Sequence, residues 1–285
     1  MEDWEGFCAS LRSESLIAEI VRRSGEPEER VRAIVTAHLA EGAIGLDVAR
    51  RGLVPGQRIL EVGAGFGIVS LYLKQAGYDI CALEPYAEGF ELFRIATEEI
   101  ASRTGVTLPR IERGVQDLDP AQDGSFDFIF SVNVLEHVPD FHEAIDAMTR
   151  VLKPGGLMIH SCPNYWIPYE PHLSIPLLPF LPAATATLLP SSLRNSAVWR
   201  SLNFVTYGDA KRAAKRNRLA ISFVPGLLSG VFRRLAYDPV FSERHGRAVR
   251  WAGAGLRRSG LLRMMDALPP WLSTPMIAIM RNPHG

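Results

Sequence analysis

Residues 58–67 read RILEVGAGFG: a short apolar run, Ile59, Leu60 and Val62 around Glu61, leads straight into glycines at 63, 65 and 67. Glycine at every second position lets the backbone turn tightly and admits a ligand close to the chain, and a helix following over 68–76 aims its unpaired N–H groups at that ligand. A parallel sheet binds nucleotide-type molecules at such an edge. A dinucleotide G-x-G-x-x-G needs glycine at 68, where Ile68 stands, and a P-loop needs Gly-Lys-Ser/Thr, which does not follow here. Phosphate cradling is therefore the poorer reading. Glu61 faces either a ligand with positive or donor groups, such as an amino-acid moiety, or the loop itself as a cap.

Downstream, DICALE at 79–84 is a second buried strand ending on Glu84, 17 residues beyond Gly67. A carboxylate there is placed to accept hydrogen bonds from ribose hydroxyls. An amphipathic helix over 87–103 leads to a third strand, 110–115, closing on Gln116-Asp117-Leu118, where Asp117 takes an adenine amino group or shapes a turn. The fourth strand, FDFIFSV at 126–132, runs into NVLEHVPD, so that Asn133, Glu136 and His137 appear where the strand leaves the sheet, on the ligand side. A helix over 141–152 meets the stop signal Lys153-Pro154-Gly155-Gly156, and LMIHSC at 157–162 is the fifth strand. Such alternation means parallel strands with right-handed crossovers.

Upstream, residues 1–50 read as helices with apolar faces Leu16, Ile17, Ile20, Val21 and Val31, Ile34, Val35, Leu39. They are expected to form a cover, either over the glycine loop or against the sheet edge. After Pro163 the character changes. NYWIPYEPH gathers Tyr165, Tyr169, Glu170 and His172 just past a strand end, a pattern that favours ligand contact over core. The 21 residues 173–193 carry no charge, yet Pro176, Pro179 and Pro182 exclude one continuous spanning helix. This segment is read as an insertion that walls an acceptor pocket or dips into a membrane surface. A helix over 204–217 and a sixth strand, LAISFVP at 219–225, precede a basic insertion, 226–273, with Arg233, Arg234, Arg244, Arg247, Arg250, Arg257, Arg258 and Arg263. With Trp251, Leu256 and Leu262 interleaved, it is either a basic amphipathic helix for anionic surfaces or an ordinary solvated one. PMIAIMRNP closes the chain as a last strand, pairing antiparallel with the sixth.

Composition sets the bounds. At 285 residues, 47% hydrophobic and 22% charged, the chain suits one large α/β domain with insertions. Net charge is zero but uneven: residues 1–150 hold 14 Lys/Arg against 26 Asp/Glu, and residues 151–285 hold 17 against 5. The two halves attract each other, or the second offers a basic patch. Cys8, Cys81 and Cys162 are far apart with no C-x-x-C, which suggests neither disulfides nor a zinc site. With an acidic N-terminus and no export segment read, the expected location is the cytoplasm, with membrane association as the second reading. No metal-ligand spacing is seen, so metal-independent chemistry is expected.

Taken together and in this order, ILEVGAGFG, CALEP, Gln116-Asp117, FDFIFSVNVLEHV and VLKPGGLMIHSCPN resemble the class I S-adenosylmethionine-dependent methyltransferases, particularly the small-molecule branch that includes the ubiquinone-biosynthesis O-methyltransferases. The resemblance covers 55–163 well and 204–225 with 275–281 loosely. It implies a Rossmann-like, seven-stranded, mostly parallel α/β sheet with helices on both faces and an antiparallel last strand. The segments are then a helical lid (1–50), a cofactor core (51–163), an apolar insertion over the acceptor site (164–203), a core helix and strand (204–225), a basic insertion (226–273) and the last strand (274–285). By the same resemblance, Glu61, Gly63, Gly65 and Gly67 hold the methionine part of S-adenosylmethionine and Glu84 its ribose. Gln116, Asp117 and Leu118 take the adenine, and Val132 and Asn133 the methionyl end. His137 occupies the position that faces the acceptor, a small molecule or lipid-like compound.

An acceptor hydroxyl or amine has to shed a proton, and a histidine near its ordinary pKa of about 6.5 suits that task. His137 is the first candidate, with Tyr165, Tyr169, Glu170 and His172 as acceptor contacts. A membrane-bound, lipid-linked substrate and a non-catalytic binding protein are the other readings. Nucleic acid is not indicated, since no N-P-P-Y or Pro-Cys loop is present.

Overall fold

The computed structural model describes residues 3–85, 91–237, 242 and 247–283, with 247–249 described by backbone alone. The chain opens with α1 (Trp4–Ser10), α2 (Glu14–Ser24) and α3 (Glu28–Arg50). Strand–helix alternation follows: β1 (Arg58–Val62), α4 (Ile68–Gln75), β2 (Asp79–Leu83), α5 (Glu91–Thr104), β3 (Arg110–Ile111), α6 (Pro120–Asp123), β4 (Phe126–Val132), α7 (Phe141–Arg150) and β5 (Leu152–Cys162). Beyond it lie a small hairpin, β6 (Tyr169–Glu170) with β7 (Ile175–Pro176), then α8 (Ser191–Arg194), α9 (Ala197–Ser201), α10 (Tyr207–Arg216), β8 (Ala220–Phe223), α11 (Leu227–Tyr237), a helix Arg247–Arg258 and β9 (Met276–Arg281).

Seven strands form one mostly parallel sheet in the order β3-β2-β1-β4-β5-β9-β8, with the last strands antiparallel. Leu60 at its centre registers with Cys81 of β2 and Ile129 of β4. Strands covered on both faces read as continuous apolar runs, and β4 shows why: Phe126, Phe128 and Phe130 are all fully buried. Each such side chain contributes roughly 1.5–3 kcal/mol by leaving water.

Three expectations shift in detail. The third strand is only two residues long, because Ala82 and Leu83 alone pair with it before the chain turns into a 3₁₀ segment at Val115–Asp117. The fifth strand begins earlier, at Leu152, and the Lys153-Pro154-Gly155-Gly156 signal lies inside it. There Gly155 takes φ +75° and its N–H donates to Asn282 O at 3.0 Å, a long-range pairing that the local turn pattern conceals. The fifth helix is described from Glu91; its expected start at Ala87 lies outside the described residues, as do Arg244 and the side chain of Arg247. All three cysteines are free and buried. Among the described residues no helix is long and apolar enough to cross a membrane.

The chain forms two compact units. The first comprises 1–132, 144–160 and 281–285, and the second 133–143 and 161–280. In the first, Arg23 of α2 bonds Glu98 (2.7 Å) and Glu99 (2.5 Å) of α5, tying the N-terminal helices to the cofactor half. Asp127 accepts the Arg58 N–H at 2.8 Å and Lys153 Nζ at 2.7 Å, fixing one end of β1 and β4. In the second unit the buried Asn164 is a hub. Its Nδ2 donates to Trp271 O and Ser273 O at 3.0 Å each, and its Oδ1 accepts from the Tyr207 N–H at 3.0 Å. The helix Arg247–Arg258 lies against α11, where a Cβ on Gly253 would come within 3.3 Å of Phe232 and 3.4 Å of Leu235.

Candidate active site

In the first unit the glycine loop is a built cradle. Gly63, Gly65 and Gly67 all have positive φ (70°, 54° and 67°), the left-handed region that glycine enters without cost. The Gly63 and Ala64 N–H groups both donate to Leu83 O, at 2.8 and 3.1 Å, which ties the loop to the end of β2. From there Glu84 reaches back, and its Oε2 accepts the Gly65 N–H at 2.8 Å. Burial raises the Glu84 pKa, and the Gly65 bond opposes that rise. Glu61 is buried with its carboxylate bonded by the Ser70 hydroxyl of α4. Burial pushes it up to about 7 against that bond.

Above the loop sits an aromatic group that the sequence alone did not single out. His38 of α3 stacks on Phe66 with ring centres 4.0 Å apart and planes 5° apart, and Phe93 meets both edge-on at 5.1 Å. Its Nδ1 lies 2.9 Å from Ile34 O, so Nδ1 carries the proton and donates. A Cβ on Gly65 would come 3.1 Å from this ring. A histidine one position before Leu39 on the apolar face of the third helix was the available signal. Gln116 and Asp117 stand exposed with Leu118 buried beside them, on the 3₁₀ turn after β3. Val132 ends β4, half-buried. In the same unit Ser131 bonds His160 Nδ1 at 2.9 Å, and burial holds that histidine down to about 3, a neutral core pair.

The second unit brings the remaining polar residues together. Asn133, its first residue, adopts φ +54°, and its N–H donates to Ser161 O at 2.9 Å. Glu136 and His137 lie on a 3₁₀ turn, Leu135–His137. Asn203 clamps this turn: its Nδ2 donates to Leu135 O (2.6 Å) and Val138 O (2.8 Å), and its N–H to Glu136 O (2.9 Å). The ring of His137 meets that of His172 edge-on at 5.0 Å. His137 Nδ1 is 2.8 Å from Ser201 Oγ, whose hydroxyl donates to Val198 O at 2.8 Å, so the histidine is the donor and its Nε2 bears a lone pair.

Burial, followed by the neighbouring His172 charge, lowers the His137 pKa to about 4 despite the pull of Glu170. Glu170 is fully buried and accepts from Tyr165 OH (3.2 Å), His172 Nδ1 (2.6 Å) and the Leu173 N–H (2.6 Å). Burial works upward on its pKa, but the bonds from His172 and Leu173 outweigh it and leave Glu170 below its ordinary value. Burial, followed by the Glu170 charge, raises the Tyr165 hydroxyl, so it stays a donor. Tyr169 is half-buried on β6.

A parallel sheet with a glycine cradle at the end of its first strand and a half-buried carboxylate just past its second defines a Rossmann-like enzyme for a nucleoside cofactor. The methyltransferase-domain family matches residues 60–160. An uncharacterised protein of Mycobacterium tuberculosis is 35% identical over 240 residues, covering 80% of this chain and 78% of its own. The ubiquinone biosynthesis O-methyltransferase of Xanthomonas campestris pv. campestris is 35% identical over 117 residues, 41% of this chain and 47% of that enzyme. In fold, the S-adenosylmethionine-dependent methyltransferase from Mesorhizobium loti matches with a TM-score of 0.52 at 17% identity, over 83% of this chain and 95% of that one. The chain belongs to the class I S-adenosylmethionine-dependent methyltransferases, and S-adenosylmethionine is its cofactor.

Proposed function

We propose that the enzyme methylates an oxygen or nitrogen atom of a small-molecule or lipid-like acceptor held in the second unit, with His137 at the centre of the acceptor site. The observation that carries this reading is the His137 tautomer. Ser201 keeps the proton on Nδ1, so Nε2 presents a lone pair to whatever enters beside His172. Its pKa near 4 keeps the ring neutral at physiological pH and makes it a weaker base than an ordinary histidine, so its part is to accept a hydrogen bond from the acceptor's hydroxyl or amine as the proton leaves.

The cradle suits the cofactor, since Gly63, Gly65 and Gly67 take left-handed backbone at the end of β1, and His38 packs on Gly65, 3.1 Å from where a Cβ would lie. Glu61 and the loop of Gly63, Gly65 and Gly67 would hold the methionine end, with Val132 and Asn133 beside it. Glu84 would hold the ribose, and Asp117 with Gln116 and Leu118 the adenine. Bound there, S-adenosylmethionine supplies a methyl group on a cationic sulfur, and the remaining work is alignment and exclusion of water. Tyr165, Tyr169, Glu170 and His172 would line the acceptor. The lipid-like option draws support from the 164–203 insertion, where Phe180 is 84% exposed, Leu181 66% and Leu188 70%.

The test is incubation with isotopically labelled cofactor and a metabolite extract, followed by mass spectrometry of the labelled product. His137→Ala should abolish labelling while cofactor affinity, read by calorimetry, is retained. Labelling undiminished by that substitution refutes the assignment.

A further inference from the structure

Three side chains of the second unit bring ligand atoms close together. One ligand atom each from Glu136, His137 and His172 lies within 4.8 Å of the other two. Ser201 fixes the His137 proton on Nδ1, which turns Nε2 into a donor of electrons. His172 is fixed in the same way: its Nδ1 donates to Glu170 at 2.6 Å, and its Nε2 stands 3.8 Å from Glu136 Oε1. Glu170 is itself pinned by Tyr165 and Leu173, so the orienting carboxylate does not wander. A carboxylate bonded to the far nitrogen of a histidine is the usual support for a metal-ligating ring. Spacing along the chain conceals the set, because Glu136 and His137 are adjacent on one turn and His172 arrives 35 residues later on the turn between β6 and β7.

We propose that Glu136, His137 and His172 bind a first-row divalent transition ion of the zinc type, with Glu170 and Ser201 orienting the two rings. Two imidazole nitrogens and one carboxylate suit such an ion and leave a coordination position open, whereas magnesium or calcium would call for more oxygen ligands. In the near-tetrahedral arrangement such an ion takes, bonds of roughly 2.0–2.2 Å put ligand atoms about 3.4 Å apart, so the widest separation must close by about 1.4 Å. His172, the most exposed of the three, is placed to make that movement. Should an acceptor hydroxyl take the open position, the ion would lower its pKa and let it lose its proton to water, relieving His137 of that role. That use of the ion rests on the proposed methyl transfer. Ion binding itself does not, and it is measured with neither cofactor nor acceptor present.

The experiment titrates chelator-treated full-length protein with Co²⁺, read by visible absorption and calorimetry, with Zn²⁺ as competitor. The expected result is one equivalent bound with the intense bands of a low-coordinate nitrogen and oxygen site, displaced by Zn²⁺. His172→Ala should weaken Co²⁺ by roughly 100-fold or more, and Glu170→Gln by roughly 10- to 100-fold. His142→Ala, outside the cluster, should leave binding unchanged. Glu136 is fully buried and its variants can misfold, so the exposed His172 carries the test, with circular dichroism confirming that its variant is folded. Absence of stoichiometric binding, or binding that survives His172→Ala, overturns the site.

Discussion

Glu84 serves two partners through its two oxygens. Oε2 fixes the Gly65 N–H, and Oε1 is the atom we assign to a ribose hydroxyl. The two roles separate by substitution. Glu84→Gln keeps an acceptor for Gly65 but loses the charge, so cofactor affinity should fall roughly 10- to 100-fold, the worth of a charge-assisted bond, with thermal stability little changed. Glu84→Ala should lose both, binding no better than the Gln variant and melting lower. Calorimetry and thermal melts decide, and equal affinity in wild type and Glu84→Gln would remove Glu84 from the cofactor site.

Glu61 makes a second prediction at the same scale. Held up to about 7 by burial, it is mostly protonated at pH 6.5, whereas in the unfolded chain its pKa is about 4.5. A raised carboxyl favours the protonated fold, so its contribution to stability falls as pH rises from about 4.5 to about 7 and is level above that. An ammonium group placed beside it draws the pKa back down. Cofactor binding near pH 6.5 should therefore release a fraction of a proton, seen as a dependence of the binding enthalpy on the buffer's ionisation enthalpy. Glu61→Gln should erase that dependence. If the dependence is unchanged in the variant, the ammonium lies elsewhere.

Among the elements, the turn Leu135–His137 depends on a residue 66 positions beyond His137, Asn203, whose side-chain amide satisfies one of its carbonyls, Leu135 O, and that of the next residue, Val138. Asn203→Ala leaves those oxygens without that donor, a loss of about 1–3 kcal/mol each at most. The expected result is methyl transfer reduced tenfold or more with the cofactor dissociation constant unchanged. A variant with full turnover would mean that the turn holds its shape unaided.

This clamp also marks the limit of what the sequence discloses. β1, β2, β4 and the glycine loop were legible, because buried parallel strands are continuous apolar runs and left-handed backbone selects glycine. The KPGG stretch was read as a stop signal because its partner, Asn282, lies far along the chain. Ser201 beneath His137 has no local signature, and His38 above Phe66 is marked only by its place on the apolar face of α3. The gathering of Tyr165, Glu170 and His172 past the fifth strand was visible as composition, but their shared bonds needed the β6–β7 hairpin.

Over the whole molecule, charge is divided between a net acidic first half and a basic second half. On the helix Arg247–Arg258, Gly253 faces α11 while Arg250, Arg257 and Arg258 are exposed, as is Trp251 at 79%. An aromatic among arginines on one exposed face suits an anionic lipid surface. We predict that the protein floats with phosphatidylserine vesicles and not with purely zwitterionic ones. Each arginine near such a surface is worth about 1 kcal/mol, so Arg250→Gln with Arg258→Gln should weaken binding roughly 30-fold and added salt should weaken it further. Flotation indifferent to lipid charge or to both substitutions would leave the arginines to ordinary solvation.

The division of the chain gives the molecule a modular grammar. The glycine cradle falls before position 133, and the residues we assign to the acceptor lie within 133–143 and 161–280; the backbone passes between the two units at 132/133, 143/144, 160/161 and 280/281. A recombinant that transplants those two stretches from a homologue, with the recipient's own residues kept through α7, β5 and β9 at the joins, should inherit the donor's substrate preference while keeping the recipient's grip on its methyl source.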